Sequence, residues 1–155
     1  MTSLSFPDVN VWLALLLEDH VHRKVALGWW ETAPFEVMAF SRFTQMSVLR
    51  LLTTAVVMND RPLTMAHAWK VYDRLFEDDR VAFFPEPAAL EGIFREHASA
   101  RRASPKLWAD AYLLAFARAH DGCIVSFDRA LARRSTNCVL LGPRSNLLRL
   151  QPRVY

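Results

Sequence analysis

Short apolar runs that alternate with helix-like segments place the strongest limit on how this 155-residue chain can fold. Five of these runs have the length and composition of buried strands and are bounded by turn residues. In chain order they are LSFPDVN, FEVMAF, RVAFFP, CIVSF and NCVLL. The segments between them carry apolar residues at helical spacing. This alternation predicts an α/β fold with three layers, in which a central parallel sheet of five strands lies between helices.

Several of the predicted helices carry start or stop signals. Ser41 and Thr64 stand at N-cap positions, where a hydroxyl can accept a hydrogen bond from the first turn of the following helix. Ser104 and Pro105 open the segment SPKLWADAYLLAFARAH in a similar way, with proline at the first helical position. Gly122 follows that segment and is expected to end its helix.

Length and composition predict one globular domain over residues 1–155. Hydrophobic residues make up 52% of the chain and charged residues 23%, as in ordinary soluble domains. The longest apolar runs, such as VWLALLL, are far shorter than the roughly 18 residues that a membrane span needs, and no secretory signal is evident at Met1. Cys123 and Cys138 lie in strand-like runs without metal-ligand spacing, which favours reduced core residues of a cytoplasmic protein.

The charges divide unevenly along the chain. Residues 1–100 hold 9 Lys and Arg against 13 Asp and Glu, whereas residues 101–155 hold 10 against 3. Two of the acids in that second part are Asp110 and Asp128. Acids set in an arginine-rich half predict a polyanion bound beside a carboxylate cluster, although a solvated basic tail explains the residues around Arg144 to Arg153 equally well.

Three acids fall at positions that the predicted fold would bring together. Asp8 closes the first strand, Asp128 closes the fourth, and Asp110 lies on the sheet-facing side of its helix, more than one turn from the start. The carboxyl ends of parallel strands share one edge of a sheet, which is where functional groups gather. Converging carboxylates repel one another, and a divalent cation that prefers oxygen ligands, Mg²⁺ or Mn²⁺, relieves that repulsion.

Structural roles for the same acids are open alternatives. Asp8 and Asp128 each precede a helix, where an aspartate commonly serves as N-cap without any metal. Asp110 can equally pair with a buried arginine such as Arg50. His20 and His22 could also be considered as metal ligands, but their setting favours a polar junction between two helices.

Three segments, taken in order, resemble a known family. FPDVNVWLAL near the start, SRFTQMSVLRLLT in the middle and WADAYLLAFARAHDGCIVSFDRAL near the end are similar to PIN-domain ribonucleases, and more narrowly to the VapC toxins of bacterial toxin–antitoxin pairs. The resemblance covers about residues 4–141 and leaves a basic C-terminal tail at 142–155. It implies a five-stranded parallel sheet flanked by helices and Mg²⁺-dependent cleavage of RNA phosphodiesters.

The resemblance also implies a set of site residues. Asp8, Asp110 and Asp128 match three acids of the family's quartet and would hold the metal ion. Ser126, two residues before Asp128, is expected to hydrogen-bond a water molecule or a carboxylate. The family usually carries glutamate in the helix after the second strand, where this chain has Gln45. The neutral amide removes one negative charge, so the metal affinity and the presence of a second ion are open.

Partners follow from the same resemblance. RNA would be the substrate, and its backbone would be gripped by basic side chains. The candidates are Arg42, Arg101, Arg102, Lys106, Arg129, Arg133 and Arg134. A VapB-like antitoxin would bind an apolar groove on the middle helices, and a homodimer is also expected, with no membrane partner. The candidates for the antitoxin groove are Trp12, Leu16 and the exposed part of an apolar helical stripe made of Trp69, Tyr72, Leu75 and Phe76.

Two other classes of function compete with this one. A PIN-like module that has lost activity would bind RNA or a protein partner without cutting, and Gln45 is the residue that favours it. A haloacid-dehalogenase-like phosphatase would use Asp8 as nucleophile with a second aspartate two residues later, but that position holds Asn10. A metal titration separates the inactive module from the metal-dependent ribonuclease, since an inactive module has no reason to keep a Mg²⁺ site.

Overall fold

The computed structural model describes residues 3–35, 37–142 and 148–150. Its strands are β1 (Leu4–Pro7), β2 (Val37–Phe40), β3 (Val81–Phe83), β4 (Cys123–Ser126), β5 (Cys138–Leu140) and β6 (Leu148–Leu150). They form one sheet in the order β3-β2-β1-β4-β5-β6. The first five strands pair in parallel, which confirms the predicted sheet. β6 pairs antiparallel with β5 and was not predicted, because its residues belong to the segment interpreted as a basic tail. Residues 143–147 and 151–155 of that tail lie outside the described residues.

Seven helices connect the strands in the described part of the chain. They are α1 (Val9–Leu16), α2 (Arg23–Thr32), α3 (Arg42–Leu52), α4 (Met65–Leu75), α5 (Leu90–His97), α6 (Leu107–Ala119) and α7 (Arg129–Arg134). Helices α1 to α4 pack on one face of the sheet and α5 to α7 on the other, so the predicted three layers are confirmed. None of these helices is long and apolar enough to cross a bilayer.

Strand residues contribute alternately to the two layers of the core. Met38 and Phe40 of β2 pack with α1 to α4, while Ala39 between them packs with α5 to α7, as the pleat of a strand requires. The ring of Trp12 stacks on that of Phe40 with centroids 4.1 Å apart and is completely buried. Trp12 is therefore a core residue, and its prediction as an antitoxin contact is wrong, while the buried Tyr72 belongs to the packed part of its helical stripe.

Two of the three predicted helix starts are confirmed. The hydroxyl of Ser41 accepts a hydrogen bond from the Thr44 N–H, and that of Thr64 accepts one from the His67 N–H, both at 3.1 Å. The third prediction is wrong, because the Leu107 N–H bonds to the Ser104 carbonyl in a tight turn and α6 begins only at Leu107. Asp110 consequently lies in the first turn of α6 rather than further along it.

The order of the strands creates a switch point between β1 and β4. From β1 the chain builds outward through β2 and β3, and it then returns to place β4 and β5 on the other side of β1. The helices that follow β1 and β4 leave to opposite faces of the sheet. A crevice opens at such a point beyond the carboxyl ends of the strands, and ligands of open α/β sheets bind there.

Gly122 is required by a close approach and not by the end of a helix. Helix α6 ends at Ala119, and the left-handed residue after it is Asp121, with φ 53°. A Cβ at Gly122 would lie 2.6 Å from Cε2 of Phe6 and 2.9 Å from its Cδ2. Phe6 is itself buried and makes edge contacts with Phe116 and Phe84, so a shift of its ring would disturb both contacts.

We predict that Gly122→Ala lowers the free energy of unfolding by about 1–3 kcal/mol, the usual cost of overpacking a core. Gly28→Ala is the matched control, since Gly28 lies exposed within α2 and a Cβ there meets no atom within 4 Å. That change should stabilise the protein by about 0.5–1 kcal/mol through helix propensity. Urea unfolding of both variants measures the difference, and equal stabilities would contradict the assignment of Gly122.

Candidate active site

Asp8 lies where β1 ends and α1 begins, in the crevice beside β4. Its backbone N–H donates to the Val125 carbonyl at 2.9 Å, which holds the ends of the two strands together. Its Oδ1 caps α1 by accepting from the N–H groups of Asn10 at 2.9 Å and Val11 at 3.3 Å. The N-cap alternative is therefore correct for Asp8, yet capping uses only one of its two carboxylate oxygens.

Ser126 joins the second oxygen of Asp8 to the end of β4. This serine is the last residue of β4 and is completely buried. Its hydroxyl donates to Oδ2 of Asp8 and accepts a hydrogen bond from the backbone N–H of Asp128 at 2.9 Å. One small side chain therefore sets the position of Asp8 relative to Asp128.

Asp128 opens α7 at the same edge of the sheet. Its Oδ1 accepts from the N–H groups of Ala130 at 2.8 Å and Leu131 at 3.2 Å, so Asp128 is also an N-cap. The residue is exposed, in contrast to Asp8. Both aspartates at strand ends thus combine a capping oxygen with a position in the crevice.

Asp110 reaches the crevice from α6 and pairs with an arginine. Its Oδ2 lies 3.8 Å from Nη1 of Arg134, and each side chain is 29% exposed. The open alternative of an arginine partner is therefore correct in kind, but the partner is not Arg50. Arg50 is exposed and lines a groove between α3 and α4.

The three carboxylates form one electrostatic unit. Burial is the main cause that raises the pKa of Asp8, and the charge of Asp128 raises it further, while hydrogen bonds from Ser126 and the α1 backbone oppose the shift. Burial also raises the pKa of Asp110, again with a contribution from Asp128, and Arg134 opposes it. Asp128 thus repels both other acids, and a divalent cation would relieve repulsion of this kind.

Gln45 contacts a different set of residues. Its side chain is buried in the first turn of α3, and Oε1 accepts a hydrogen bond from Nη1 of Arg42 at 2.5 Å. The Arg42 guanidinium also lies 4.5 Å from the centre of the Phe83 ring. Among the contacts of the described residues, none joins Gln45 to the three aspartates.

The donor set suits a hard cation, although the acids do not enclose one. In residues 3–35, 37–142 and 148–150, no three His, Cys, Asp or Glu side chains lie close enough to hold a metal ion. Mg²⁺ differs from many metals in this respect, since it usually keeps several waters and binds through one or two carboxylates together with substrate phosphates. The crevice therefore fits Mg²⁺ through Asp8 and its neighbouring acids, and it does not fit a closed structural metal site.

His20 and His22 take no part in such a site. The Nδ1 of His20 accepts a hydrogen bond from the backbone N–H of His22 at 3.1 Å. The ring of His22 stacks on that of Phe127, with centroids 4.5 Å apart. This arrangement agrees with a junction between helices that supports the β4–α7 turn.

An apolar groove lies between α3 and α4. It has a volume of about 530 Å³ and is lined mainly by exposed or half-buried apolar side chains. Among them are Phe43, Met46, Leu49, Met65 and Trp69. Met65 is 74% exposed, Met46 62% and Trp69 45%, which is unusual for residues of this kind on a free surface. Of the predicted antitoxin contacts, Trp69 belongs to this groove.

Sequence reasoning missed the role of Arg134. It was grouped with the basic residues expected to grip RNA, of which Arg101, Arg102, Lys106, Arg129 and Arg133 are exposed in the structure. Arg134 instead donates from Nη2 to the His97 carbonyl at 3.0 Å and faces Asp110. No local signal announces this pairing, because Asp110 and Arg134 belong to different helices.

Comparison with known proteins identifies the family. Residues 5–136 match the PIN domain family. Ribonuclease VapC41 of Mycobacterium tuberculosis is 41% identical over 132 residues, which cover 81% of this chain and 90% of that protein.

Solved structures show the same fold at low sequence identity. The crystal structure of M. tuberculosis VapC20, a sarcin-ricin loop cleaving toxin, matches with a TM-score of 0.63 and 19% identity over 83% of this chain and 93% of that one. VapBC2 from Rickettsia felis, bound to a DNA fragment from their promoter, matches with a TM-score of 0.58 and 9% identity over 90% and 99%. The chain therefore belongs to the PIN-domain family and, within it, to the VapC-type ribonucleases of toxin–antitoxin pairs.

Proposed function

We propose that this chain is an Mg²⁺-dependent endoribonuclease and the toxin of a type II toxin–antitoxin pair. The observation that carries the proposal is the arrangement at the β1–β4 switch point. Ser126 joins Asp8 and Asp128 there, and the negative charge of Asp128 contributes to the raised pKa of Asp110. Membership of a ribonuclease family, together with a crevice whose acids repel one another, supports metal-dependent hydrolysis of a phosphodiester.

Asp8, Asp110 and Asp128 are the residues that would hold the ion, one or two of them directly and the rest through water molecules that Mg²⁺ keeps, since no three acids of the described residues enclose a metal ion. When bound, Mg²⁺ supplies Lewis-acid polarisation of a phosphate and acidifies a water molecule. Ser126 keeps the Asp8 carboxylate oriented by donating to its Oδ2. The Asp8 side chain would therefore lose less conformational freedom when the ion binds. The capping hydrogen bonds on Oδ1 of Asp8 and Asp128 have the same effect, because they fix each carboxylate plane to a helix.

Basic side chains around the crevice support a polyanionic substrate. Arg129 and Arg133 are exposed on α7, directly after Asp128. Arg101 and Arg102 are exposed in the turn before α6, which carries Asp110. Contacts from such residues to phosphates are independent of sequence and weaken with salt. RNA binding by this chain should accordingly fall steeply as the salt concentration rises.

The α3–α4 groove supports an antitoxin partner. A groove lined by methionine and aromatic side chains is the usual receptor for the apolar face of a helix. The VapBC2 match supports the same kind of assembly for this chain. A homodimer and a cytoplasmic location stay predictions.

A second candidate is a PIN-like module that binds without cutting. Gln45 favours it, because the family's usual glutamate would add a negative charge at this position and the neutral amide of Gln45 does not. Its oxygen accepts a hydrogen bond from Arg42 instead. Such a module would bind RNA or a partner and would show no response to Mg²⁺.

We predict that Asp8→Asn reduces Mg²⁺-dependent RNA cleavage by more than about 100-fold, since even outer-shell changes at metal sites cost 10–100-fold. The same variant should be more stable than the wild type without metal at pH 7, with a Tm about 2–4 °C higher. Because burial raises the pKa of Asp8, the ionised carboxylate destabilises the folded state as the pH rises above the pKa of the unfolded chain. The gain should shrink as the pH falls toward about 4.

Asp121→Asn is the matched control for this prediction. Asp121 is exposed, lies outside the crevice, and has a left-handed backbone that asparagine tolerates well. Mg²⁺ should raise the Tm of the wild type and of Asp121→Asn, but not that of Asp8→Asn. Equal Mg²⁺ stabilisation of all three proteins would place the ion elsewhere and contradict the proposal.

We predict that Trp69→Ala weakens binding of the cognate antitoxin by about 30-fold or more, the loss expected for an aromatic hot spot. Trp108→Ala is the matched control, because Trp108 is 61% exposed on α6 and does not line the groove. Calorimetric titration of each variant with the antitoxin measures the effect. A loss in Trp108→Ala and none in Trp69→Ala would move the interface to α6.

A further inference from the structure

The three aspartates of the crevice differ in what stabilises their charge. Asp8 accepts hydrogen bonds from two backbone N–H groups and from Ser126, and Asp128 accepts two from the start of α7. For Asp110, no hydrogen bond to the carboxylate is found within the described part of the chain, and its one ionic contact there is Arg134. Asp110 is thus the aspartate whose position depends on an arginine.

The Arg134 guanidinium is held firmly on one side and left unsatisfied on the other. Nη2 donates to the His97 carbonyl at 3.0 Å, which anchors the group between α5 and α7. Nη1 is buried and has no hydrogen-bond partner among the described residues. A buried donor without an acceptor is costly, so an acceptor for Nη1 is expected nearby. The nearest carboxylate oxygen that pairs with Nη1 is Oδ2 of Asp110.

The separation of the pair indicates attraction without a hydrogen bond. At 3.8 Å, the distance from Nη1 to Oδ2 exceeds the range of N–H···O bonds, which ends near about 3.2 Å. The geometry is also not the two-pronged fork that makes arginine–carboxylate pairs rigid. A divalent cation arriving at Asp110 would therefore meet a carboxylate that is neutralised by charge but not locked by hydrogen bonds.

We propose that Arg134 is a positioning residue that acts as the counter-ion of Asp110 in the metal-free protein and competes with the divalent cation for this carboxylate. The inference rests on the proposed Mg²⁺ site and concerns how that site fills. Because both cations need the same carboxylate, binding of one weakens the hold of the other by the same factor. The Mg²⁺ concentration at which the enzyme becomes active is then set partly by Arg134.

Substitution of Arg134 and its neighbour separates this role from general charge effects. Arg134→Gln removes the charge and retains a polar amide, although this side chain is shorter than the one that donates to the His97 carbonyl, and Arg134→Lys keeps the charge. Arg133→Gln is the matched control, since Arg133 is an exposed arginine of the same helix. The measurement is calorimetric titration of each metal-free protein with MgCl₂ in the absence of RNA.

Arg134→Gln should bind Mg²⁺ roughly five- to tenfold more tightly than the wild type, at the lower end of usual coupling between sites. Arg133→Gln and Arg134→Lys should stay within about twofold of the wild type, since each keeps a cation beside Asp110. Unchanged or weaker binding by Arg134→Gln would overturn the competition. Absence of Mg²⁺ binding in every protein, wild type included, would overturn the proposed metal site itself.

A second measurement needs no variant and covers the case in which Arg134→Gln does not fold. Crystals of the wild-type protein, grown with and without MnCl₂, give the separation between Nη1 of Arg134 and Oδ2 of Asp110 in both states. The proposal expects Mn²⁺ on Asp110 and a guanidinium displaced beyond 4 Å from that oxygen, the limit for an ion pair. An ion pair that persists beside bound Mn²⁺ would overturn it.

Discussion

The hydroxyl of Ser126 is the interaction on which the crevice depends. It ties the Asp8 carboxylate at the end of β1 to the backbone of Asp128 after β4. These two strands are far apart in sequence and adjacent in the sheet because the strand order reverses between them. Without that reversal, the helices after β1 and β4 would not diverge, and no crevice would open. The topology creates the space, and one buried hydroxyl fixes what lines it.

The negative charges of the three crevice aspartates are stabilised in three different ways. Asp8 is buried and held by hydrogen bonds, Asp128 sits at a helix N-terminus, and Asp110 faces the arginine at the end of α7. The first two solutions are permanent parts of the fold, since removing them would uncap a helix. The third is an ion pair at 3.8 Å without a hydrogen bond, and under the proposed metal site another cation would replace it. On that proposal, Asp110 is the carboxylate at which metal affinity would be tuned.

Sequence reasoning recovered the sheet and the two aspartates at strand ends because both depend on local patterns. Apolar runs of strand length predict β1 to β5, and an aspartate directly after such a run must lie at the sheet edge. The pattern could not reveal the start of α6, since Ser104 and Pro105 fit a helix start and a turn equally well. It could not reveal the pairing of Asp110 with Arg134 either, because that contact joins α6 to α7 across the fold. Trp12 was misjudged as surface for a related reason: spacing alone does not show that β2 places Phe40 against it.

Cleavage of total cellular RNA by the purified protein, free of antitoxin, is the most direct test of the central claim. The reaction is run with Mg²⁺, with EDTA, and with EDTA followed by an excess of Mg²⁺. The account predicts discrete fragments with Mg²⁺, intact RNA in EDTA, and recovery of the same fragments when Mg²⁺ is restored. Fragments that persist in EDTA, or intact RNA under all three conditions, would contradict a metal-dependent ribonuclease built on Asp8, Asp110 and Asp128.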